Sequence, residues 1–209
     1  MNINKDETVE NLYQRQGFST TQQLEVTRQL VMLQTASAQI SSSLDVNEVC
    51  SIVTRELNNI FSTNVCILSR WDKEVNTLHR VAIHKLGNQT EEIKEGTLQV
   101  SQFPLRAQAL DGHKVIQSIV SDQNIDPAEL KFLNKHGFKS VLLLPLVHHN
   151  EAIGLIETYD YEEKVYEIHE IVLAKLYANH ASIAIENARL FDKAQDEIDI
   201  RKQVEEKLR

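Results

Sequence analysis

Residues 139–160 read KSVLLLPLVHHNEAIGLIETYD, and they contain the two strongest strand patterns of the chain. Two apolar runs flank the polar group His148–Asn150, and each run is long enough for a strand. Apolar runs of this length around polar turn residues are typical of paired buried strands. The stretch therefore predicts a β-hairpin with its turn at His148–Asn150.

Two short helices are predicted before this hairpin, because each carries signals at both ends. The first begins at Pro104, which suits a first helical turn, and reaches about Leu110, with Gly112 just beyond its end. The second has Asp126 as its N-cap and Gly137 as its stop.

Further strands are predicted where the apolar residues alternate along the sequence. Residues 65–71 and 77–84 alternate in this way and form a second hairpin. Leu98 and Val100 mark another strand, and the run KVIQSIV at 114–120 predicts one more between the two short helices.

Longer helices are predicted on both sides of these strands. Asp45 is a candidate N-cap, with Glu48 three residues later as in a capping box. The helix that follows has five apolar residues on one face, namely Val46, Val49, Val53, Leu57 and Ile60. No Gly or Pro occurs from Glu167 to Arg209, which permits one helix of about forty residues. The order of elements predicts an α+β fold in which long terminal helices cover one face of an antiparallel sheet.

The composition excludes several classes of protein. The formal net charge of −8, with basic residues interleaved among acids, argues against nucleic acid as a partner. The N-terminus has no apolar signal region, and the longest apolar run, Val141–Val147, is too short to span a bilayer. Cys50 and Cys66 each lie in an apolar run, as buried reduced thiols do. The sequence therefore predicts a cytoplasmic protein with no membrane segment in this part.

The N-terminal region predicts a helix with a possible role in dimerisation. Residues 1–18 are polar and aperiodic and form a flexible lead-in, whereas residues 19–44 have helical periodicity. The helix has a heptad pattern formed by Val26, Leu30, Leu33, Ser37, Ile40 and Leu44. Two interpretations remain open: the helix packs on its own domain and on a partner helix at once, or one broad face is buried within a monomer.

The hairpin KSVLLLPLVHHNEAIGLIETYD, followed by EIVLAKLYANHASIAIENARLF, resembles the GAF domain family of bacterial signalling proteins. The earlier segment LDVNEVCSIVTRELNNIF is similar to the first helix of that family's domain, so the predicted domain covers residues 45–191. The resemblance implies about six antiparallel strands, with short helices that roof a pocket on the face opposite the terminal helices. Family members use this pocket for cyclic nucleotides, bilins, haem or small metabolites, and some leave it empty.

The residues argue against binding of a cyclic nucleotide. Cyclic-nucleotide GAF domains of phosphodiesterases carry Asn-Lys after the last strand, then a Phe, then Asp-Glu at the start of the final helix. The corresponding positions here are Asp160-Tyr161, Tyr166 and His169-Glu170, of which only Glu170 agrees.

The residues also argue against three other uses of the family's pocket. Covalent bilin attachment needs a cysteine in the pocket region, and no cysteine follows Cys66. Cys50 and Cys66 do not supply the several pocket cysteines of the members that reduce methionine sulfoxide. An axial ligand for haem could come from His113 or His136, but a histidine at a helix end more often complements the helix dipole.

Five residues near the roof helices are candidates for lining a small-molecule pocket. They are Phe103, His113, Phe132, His136 and Phe138. The alternative is that the three phenylalanines are core residues beneath the roof. No catalytic motif stands out and no metal site is predicted, so we do not expect this segment to be an enzyme, and the ligand stays unidentified.

The last residues, 192–209, predict a two-stranded coiled coil. Apolar positions become sparse and charged pairs such as Glu197 with Arg201 lie four residues apart. The segment resembles the signalling helix that joins GAF domains to PAS, histidine-kinase or diguanylate-cyclase modules. The candidate residues of a dimer of terminal helices are Val26, Leu30, Leu33, Ile40, Leu190 and Ile198.

Two functions follow from these patterns. One is a homodimeric sensory input domain that binds a small molecule and passes the signal through its helices to a covalently linked output domain. The alternative is a dimerisation scaffold with a vestigial pocket and no ligand.

Overall fold

The computed structural model describes residues 43–86 and 96–208. The predicted lead-in lies outside these ranges, and so does the predicted N-terminal helix up to residue 42, with Val26, Leu30, Leu33 and Ile40. The helices are α1 (Val46–Phe61), α2 (Pro104–Gly112), α3 (Pro127–Lys135) and α4 (Ile168–Leu208). The strands are β1 (Val65–Asp72), β2 (Thr77–Lys85), β3 (Thr97–Gln99), β4 (Ile116–Ile119), β5 (Ser140–His148) and β6 (Glu151–Asp160).

The six strands form one antiparallel sheet in the order β3-β2-β1-β6-β5-β4. Both predicted hairpins are present, and pairing of β1 with β6 joins them at the centre of the sheet. In the turn between β5 and β6, His149 and Asn150 have left-handed φ values of 47° and 63°. Such values are typical of the short turns that connect hairpin strands. The predicted α+β fold is therefore confirmed.

The helix ends follow the predicted signals, with one shift. Asp45 accepts hydrogen bonds from the N–H groups of Asn47 and Glu48, as an N-cap does. Asp126 caps α3 in the same way. In α2 the predicted end is wrong by a few residues, because Gly112 is the last helical residue and His113 takes the left-handed conformation at φ 50°.

The third strand is also shorter than the sequence predicts. Leu98 lies in β3, but Val100 begins a 3-10 turn that runs to Gln102. Val100 is buried beneath the roof helices, so its apolar character reflects packing in the core rather than a place in the strand.

The terminal helices α1 and α4 pack side by side on one face of the sheet. The hydroxyl of Tyr177 on α4 donates to the carbonyl of Val53 on α1, with 3.2 Å between the oxygens. The hydroxyl of Ser182 donates to the carbonyl of Val147 on β5, at 2.7 Å. These bonds fix the first half of α4 against both its neighbouring helix and the sheet.

Cys50 and Cys66 are buried and are not joined by a disulfide, as the sequence predicts. Burial, together with the nearby Asp45, raises the pKa of Cys50 to about 12, and burial raises the pKa of Cys66 as well. Both groups are therefore thiols at neutral pH, and neither is a reactive nucleophile. No helix of the described ranges combines the length and the apolar character that a membrane span requires.

Candidate functional site

The face of the sheet opposite α1 and α4 is covered by α2, α3 and the turn at Val100–Gln102. A continuous apolar core fills the space between these elements and the sheet. Its buried members are Val65, Ile67, Leu78, Val100, Ala109, Leu110, Leu133, Phe138, Val141, Leu143, Ala152, Leu155 and Tyr159. This is the space that the family resemblance gives to a ligand pocket.

The centre of this space is occupied by a charged cluster from three elements, Arg106, Glu129, Glu157 and Tyr159, which we name the Arg106 cluster. The guanidinium of Arg106 is fully buried. Its Nη1 donates to Glu129 Oε2 at 2.5 Å, its Nε donates to Glu157 Oε1 at 2.6 Å, and its Nη2 donates to the Tyr159 hydroxyl at 2.7 Å. All three guanidinium nitrogens therefore have a partner.

Local sequence explains why these side chains meet. Arg106 is in the first turn of α2, which begins at Pro104, and Glu129 is in the first turn of α3, which Asp126 caps. Glu157 and Tyr159 are two residues apart on β6, so both point to the face that the roof helices cover. The hydroxyl of Tyr159 also donates to Glu157 Oε1 at 2.9 Å.

Two aromatic rings contact the guanidinium, and further rings pack beside them. The rings of Phe103 and Phe132 lie 4.4 Å and 4.9 Å from the central carbon of Arg106, at distances typical of cation–π contacts. Phe138 stacks on Tyr159 with 4.7 Å between ring centroids, and His136 lies 4.7 Å from Phe132. Phe103 and Phe132 therefore contact the buried cation, and Phe138 and His136 pack on the aromatic rings beside it.

His113, the fifth pocket candidate, lies apart from the other four. It lines a surface cleft of about 210 Å³ with Val115, Pro145, Val147, Asn150, Lys175, Ala178 and Asn179. Since Lys175 and Asn179 belong to α4, this cleft is on the side of the terminal helices. The left-handed turn at His113 redirects the chain from α2 toward β4, and its side chain does not join the roofed interior.

Burial and charge act in opposite directions within the Arg106 cluster. Burial alone lowers the pKa of Arg106, but the adjacent Tyr159, Glu157 and Glu129 outweigh it and raise the pKa above its ordinary value. Burial raises the pKa of Glu129, the positive charge of Arg106 lowers it, and the negative charge of Glu157 raises it again; the net direction is upward. Burial likewise raises the pKa of Tyr159, which stays a phenol.

The cluster limits what this interior can do chemically. Arg106 has the largest side chain among the fully buried residues, and it occupies the space beneath the roof together with the aromatic rings. Within the described ranges, no group of three or more His, Cys, Asp or Glu residues is arranged to hold a metal ion. In the Arg106 cluster, three hydrogen bonds fix the guanidinium of Arg106, and its four side chains do not pair a nucleophile with a base.

None of the four residues of the Arg106 cluster is among the site residues predicted from the sequence. A signal for them does exist. Glu157 follows Gly-Leu-Ile on a strand whose neighbours are buried, and Arg106 lies between Leu105 and Ala107 in a short apolar helix. A charged residue of each sign at an inward position predicts a buried ion pair, because an unpaired buried charge is strongly unfavourable.

The outer face of α4 forms a second candidate surface. Val172, Leu176, Ile183 and Leu190 are between 42% and 53% exposed, although all are apolar. Their spacing of four, seven and seven residues places them on one side of the helix, opposite the buried residues that face the sheet. We name these four residues the outer stripe. Leu190 was predicted for a dimer contact, and Ile198, also predicted, is exposed further along α4.

The second half of α4 has no contact with the sheet to bury it. From Phe191 to Lys207 every side chain is exposed, yet the helix continues unbroken. Glu197 and Arg201 form the predicted ion pair, at 2.5 Å between Nη2 and Oε1. An exposed pair of this kind contributes less than about 1 kcal/mol, so it does not explain the length of the helix by itself.

Comparison with known proteins gives one family. The sequence model described as GAF domain matches residues 45–185. No curated protein matches the sequence. Among solved structures, the phycoerythrobilin-bound GAF domain of a cyanobacterial phytochrome is 14% identical with a TM-score of 0.70, over 80% of this chain and 99% of that one.

Two further structures show the same fold. The GAF domain of the Acinetobacter phosphoenolpyruvate-protein phosphotransferase is 14% identical with a TM-score of 0.65, over 79% of this chain and 98% of that one. The bacteriophytochrome RpBphP3 of R. palustris is 11% identical with a TM-score of 0.72, over 88% of this chain and 42% of that one.

Proposed function

The chain belongs to the GAF domain family, and we propose that it is the sensory input domain of a larger signal-transduction protein. GAF domains are sensory and regulatory domains of signalling proteins. In the proposed arrangement, a homodimer passes a signal along its terminal helices to a covalently linked output domain of the histidine-kinase or diguanylate-cyclase type. The GAF segment itself is regulatory and has no catalytic role.

One observation carries this proposal: α4 is a single helix of 41 residues with two different environments. Its first half is packed on the sheet and on α1, and its second half is exposed. A change in the packing of the first half therefore moves the second half as a rigid rod. A signal can bias an output domain only if it favours one of two helix arrangements over the other.

Transmission through α4 predicts that the output depends on helical phase. We expect an insertion of one alanine after Phe191 to change the activity of an output module joined after α4, because each residue rotates the rod by about 100°. The measurement is the autokinase activity of a histidine-kinase module fused after Arg209, just beyond the end of α4.

An insertion of seven residues, LAEQLKA, is the matched control. It adds close to two full turns, leaves a residual rotation of about 20°, and should restore the original activity. Equal activity for the insertions of one and seven residues would contradict transmission by a rigid helix.

The outer stripe supports dimerisation through α4. We expect the variant Leu176→Gln, Ile183→Gln, Leu190→Gln to be a monomer under conditions in which the wild type is a dimer. Since the three side chains are about half exposed, their change should leave the fold intact. Native mass spectrometry and sedimentation velocity measure the oligomeric state, and circular dichroism checks the fold.

The control for this variant is a pair of apolar residues outside α4 that are slightly more exposed than the stripe residues. Val75, between β1 and β2, and Val165, before α4, are 58% and 62% exposed. The variant Val75→Thr, Val165→Thr should remain dimeric. A stripe variant that stays dimeric would show that the outer stripe is not the interface.

The filled interior favours the second candidate, a GAF dimerisation scaffold without a ligand. Arg106, Phe103, Phe132 and Phe138 occupy the space in which a ligand would lie. Cys50 and Cys66, the two thiols of the chain, are also buried, which supports neither thiol as an attachment point for a bilin. Native mass spectra and an absorption spectrum of the freshly purified protein separate the candidates, since a retained small molecule adds mass or colour and a scaffold shows the mass of the chain alone.

A further inference from the structure

The Arg106 cluster has one more negative group than positive groups. Arg106 supplies one positive charge, whereas Glu129 and Glu157 supply two carboxyl groups, and all three side chains are at most 4% exposed. Among the described residues, Arg106 is the only cation within ion-pair distance of either carboxyl. If both carboxyl groups were ionised, one negative charge would lie uncompensated in the interior, which is strongly unfavourable.

The two carboxyl groups are held unequally. Oε1 of Glu157 accepts from Arg106 Nε and from the Tyr159 hydroxyl. Glu129 accepts only through Oε2, from Arg106 Nη1, and its Oε1 is buried with no hydrogen-bond partner. Glu157 is fixed on β6, at the centre of the sheet, whereas Glu129 belongs to the nine-residue helix α3. Glu129 is therefore the carboxyl group whose negative charge is compensated least.

We propose that Glu129 binds a proton in the folded domain at neutral pH, and that loss of this proton weakens the docking of α3 on the sheet. A proton supplies the missing positive charge and needs no cavity, unlike an organic cation. Release of the proton would leave a buried anion with one unpartnered oxygen, and movement of α3 toward solvent would hydrate it. The proposal goes beyond the signalling role and does not depend on a dimer or an output domain.

The groups around Glu129 agree with this assignment. Arg106 faces it from α2, Glu157 and Tyr159 belong to β6, and Asp126 lies at the start of α3 itself. Burial raises the pKa of Glu129 first of all, Arg106 lowers it, and the negative Glu157 and Asp126 raise it further. His136, at the end of α3, is a further titratable group in the same aromatic surroundings, and an experiment has to separate its titration from that of Glu129.

The raised pKa of Glu129 determines how the stability of the fold changes with pH. Because the pKa of Glu129 is higher in the folded than in the unfolded chain, the proton stabilises the fold fully below the unfolded pKa. This stabilisation is lost as the pH rises through the folded pKa. The wild type should therefore lose stability with rising pH above the ordinary pKa of a glutamic acid, and a neutral isostere at position 129 should not.

The test compares the wild type with Glu129→Gln in urea unfolding from about pH 5 to about pH 9. We expect the folding constant of the wild type to fall relative to that of the variant by up to about tenfold per pH unit, which is the limit for one proton. The protection of the amides of residues 128–135, taken relative to the intrinsic exchange rate at each pH, should fall with rising pH in the wild type and stay level in the variant.

Two matched variants assign the effect. Glu157→Gln removes the other carboxyl and should lose the pH dependence above about pH 5, because Glu129 then pairs with Arg106 as an anion and its pKa falls below the range of the test. His136→Gln should keep the pH dependence of the wild type, since its ring is not the proposed site. If only His136→Gln abolished the pH dependence, the histidine would be the titrating group and the proposal would be wrong.

A direct readout does not depend on stability. A protonated carboxyl gives a carbonyl-stretch band in the infrared spectrum of the protein at neutral pH, and we expect this band to be absent from Glu129→Gln. The proposal is overturned if the wild type and Glu129→Gln have equal bands and equal pH slopes. It is also overturned if Glu129→Gln fails to fold at neutral pH, because a neutral site should accept a neutral isostere.

Discussion

Replacement of Arg106 by methionine is expected to lower the free energy of unfolding by about 3–5 kcal/mol. The side chain is fully buried, and its three nitrogens bond Glu129, Glu157 and Tyr159. Methionine fills a similar volume but leaves two buried carboxyl groups without a cation. A domain of this size has a stability of about 5–15 kcal/mol in total, so the loss should be large in urea unfolding at neutral pH.

Two controls separate the loss of charge balance from the loss of packing. The variant Arg106→Met, Glu129→Leu, Glu157→Leu removes the whole set of charges, and buried ion clusters replaced by apolar residues are often neutral in stability. We expect the free energy of unfolding of this triple variant to be within about 2 kcal/mol of the wild type, because the Tyr159 hydroxyl is left without its partners.

The exposed pair of Glu197 and Arg201 gives the second control, since Arg201→Met should change stability by less than about 1 kcal/mol. A loss below about 1 kcal/mol for Arg106→Met would mean that water reaches the cluster.

Most elements of the fold could be predicted because their signals are local. The hairpin of β5 and β6 follows from two apolar runs around His148–Asn150, and α3 follows from an N-cap at Asp126 and a stop at Gly137. A cap or a turn depends on a few consecutive residues and on backbone geometry. The register within each hairpin is fixed by its turn, so the pairing of neighbouring strands is also local.

The Arg106 cluster could not be predicted in the same way, because its members are far apart in the chain. Arg106 and Glu129 are separated by 23 residues, and Arg106 and Glu157 by 51. Their contact depends on how α2 and α3 lie over β6, and one sequence carries no direct signal for that arrangement. The sequence pattern identifies three aromatic residues near the roof helices, Phe103, Phe132 and Phe138. Their contacts with Arg106 and Tyr159 depend on the same three-dimensional arrangement and have no local signal.

His113 shows a second limit of prediction from sequence. Its position beside a roof helix is correct, yet a left-handed turn at this residue directs the chain toward β4. Left-handed φ values are uncommon in residues other than glycine. A sequence-based prediction therefore places the left-handed residue that ends the helix at Gly112, one position too early. The left-handed turn at His113 places this residue at the surface cleft beside α4 and not in the roofed interior.

Replacement of Gly154 by alanine is expected to lower the free energy of unfolding by about 2–3 kcal/mol, because a side chain there has no space. A Cβ at this position would lie 2.4 Å from the backbone oxygen of Ser69. Gly154 is on β6 and pairs with Arg70 on β1, and this ladder joins the two halves of the sheet. Backbone cannot move aside as a flexible side chain can, so the strands must separate locally.

The matched control is Gly112→Ala at the end of α2. There a Cβ would meet only the flexible side chain of Lys114 at 3.5 Å, an ordinary contact, and alanine favours a helix over glycine by about 0.5–1 kcal/mol. Gly112→Ala should therefore leave stability unchanged or raise it, whereas Gly154→Ala lowers it. Opposite effects would show that the two glycines serve different purposes, with Gly154 required by the close approach of β1 and β6. If the Gly154→Ala variant and the wild type have equal stability in urea unfolding, β1 and β6 can move apart at this position without losing their pairing, and the prediction is wrong.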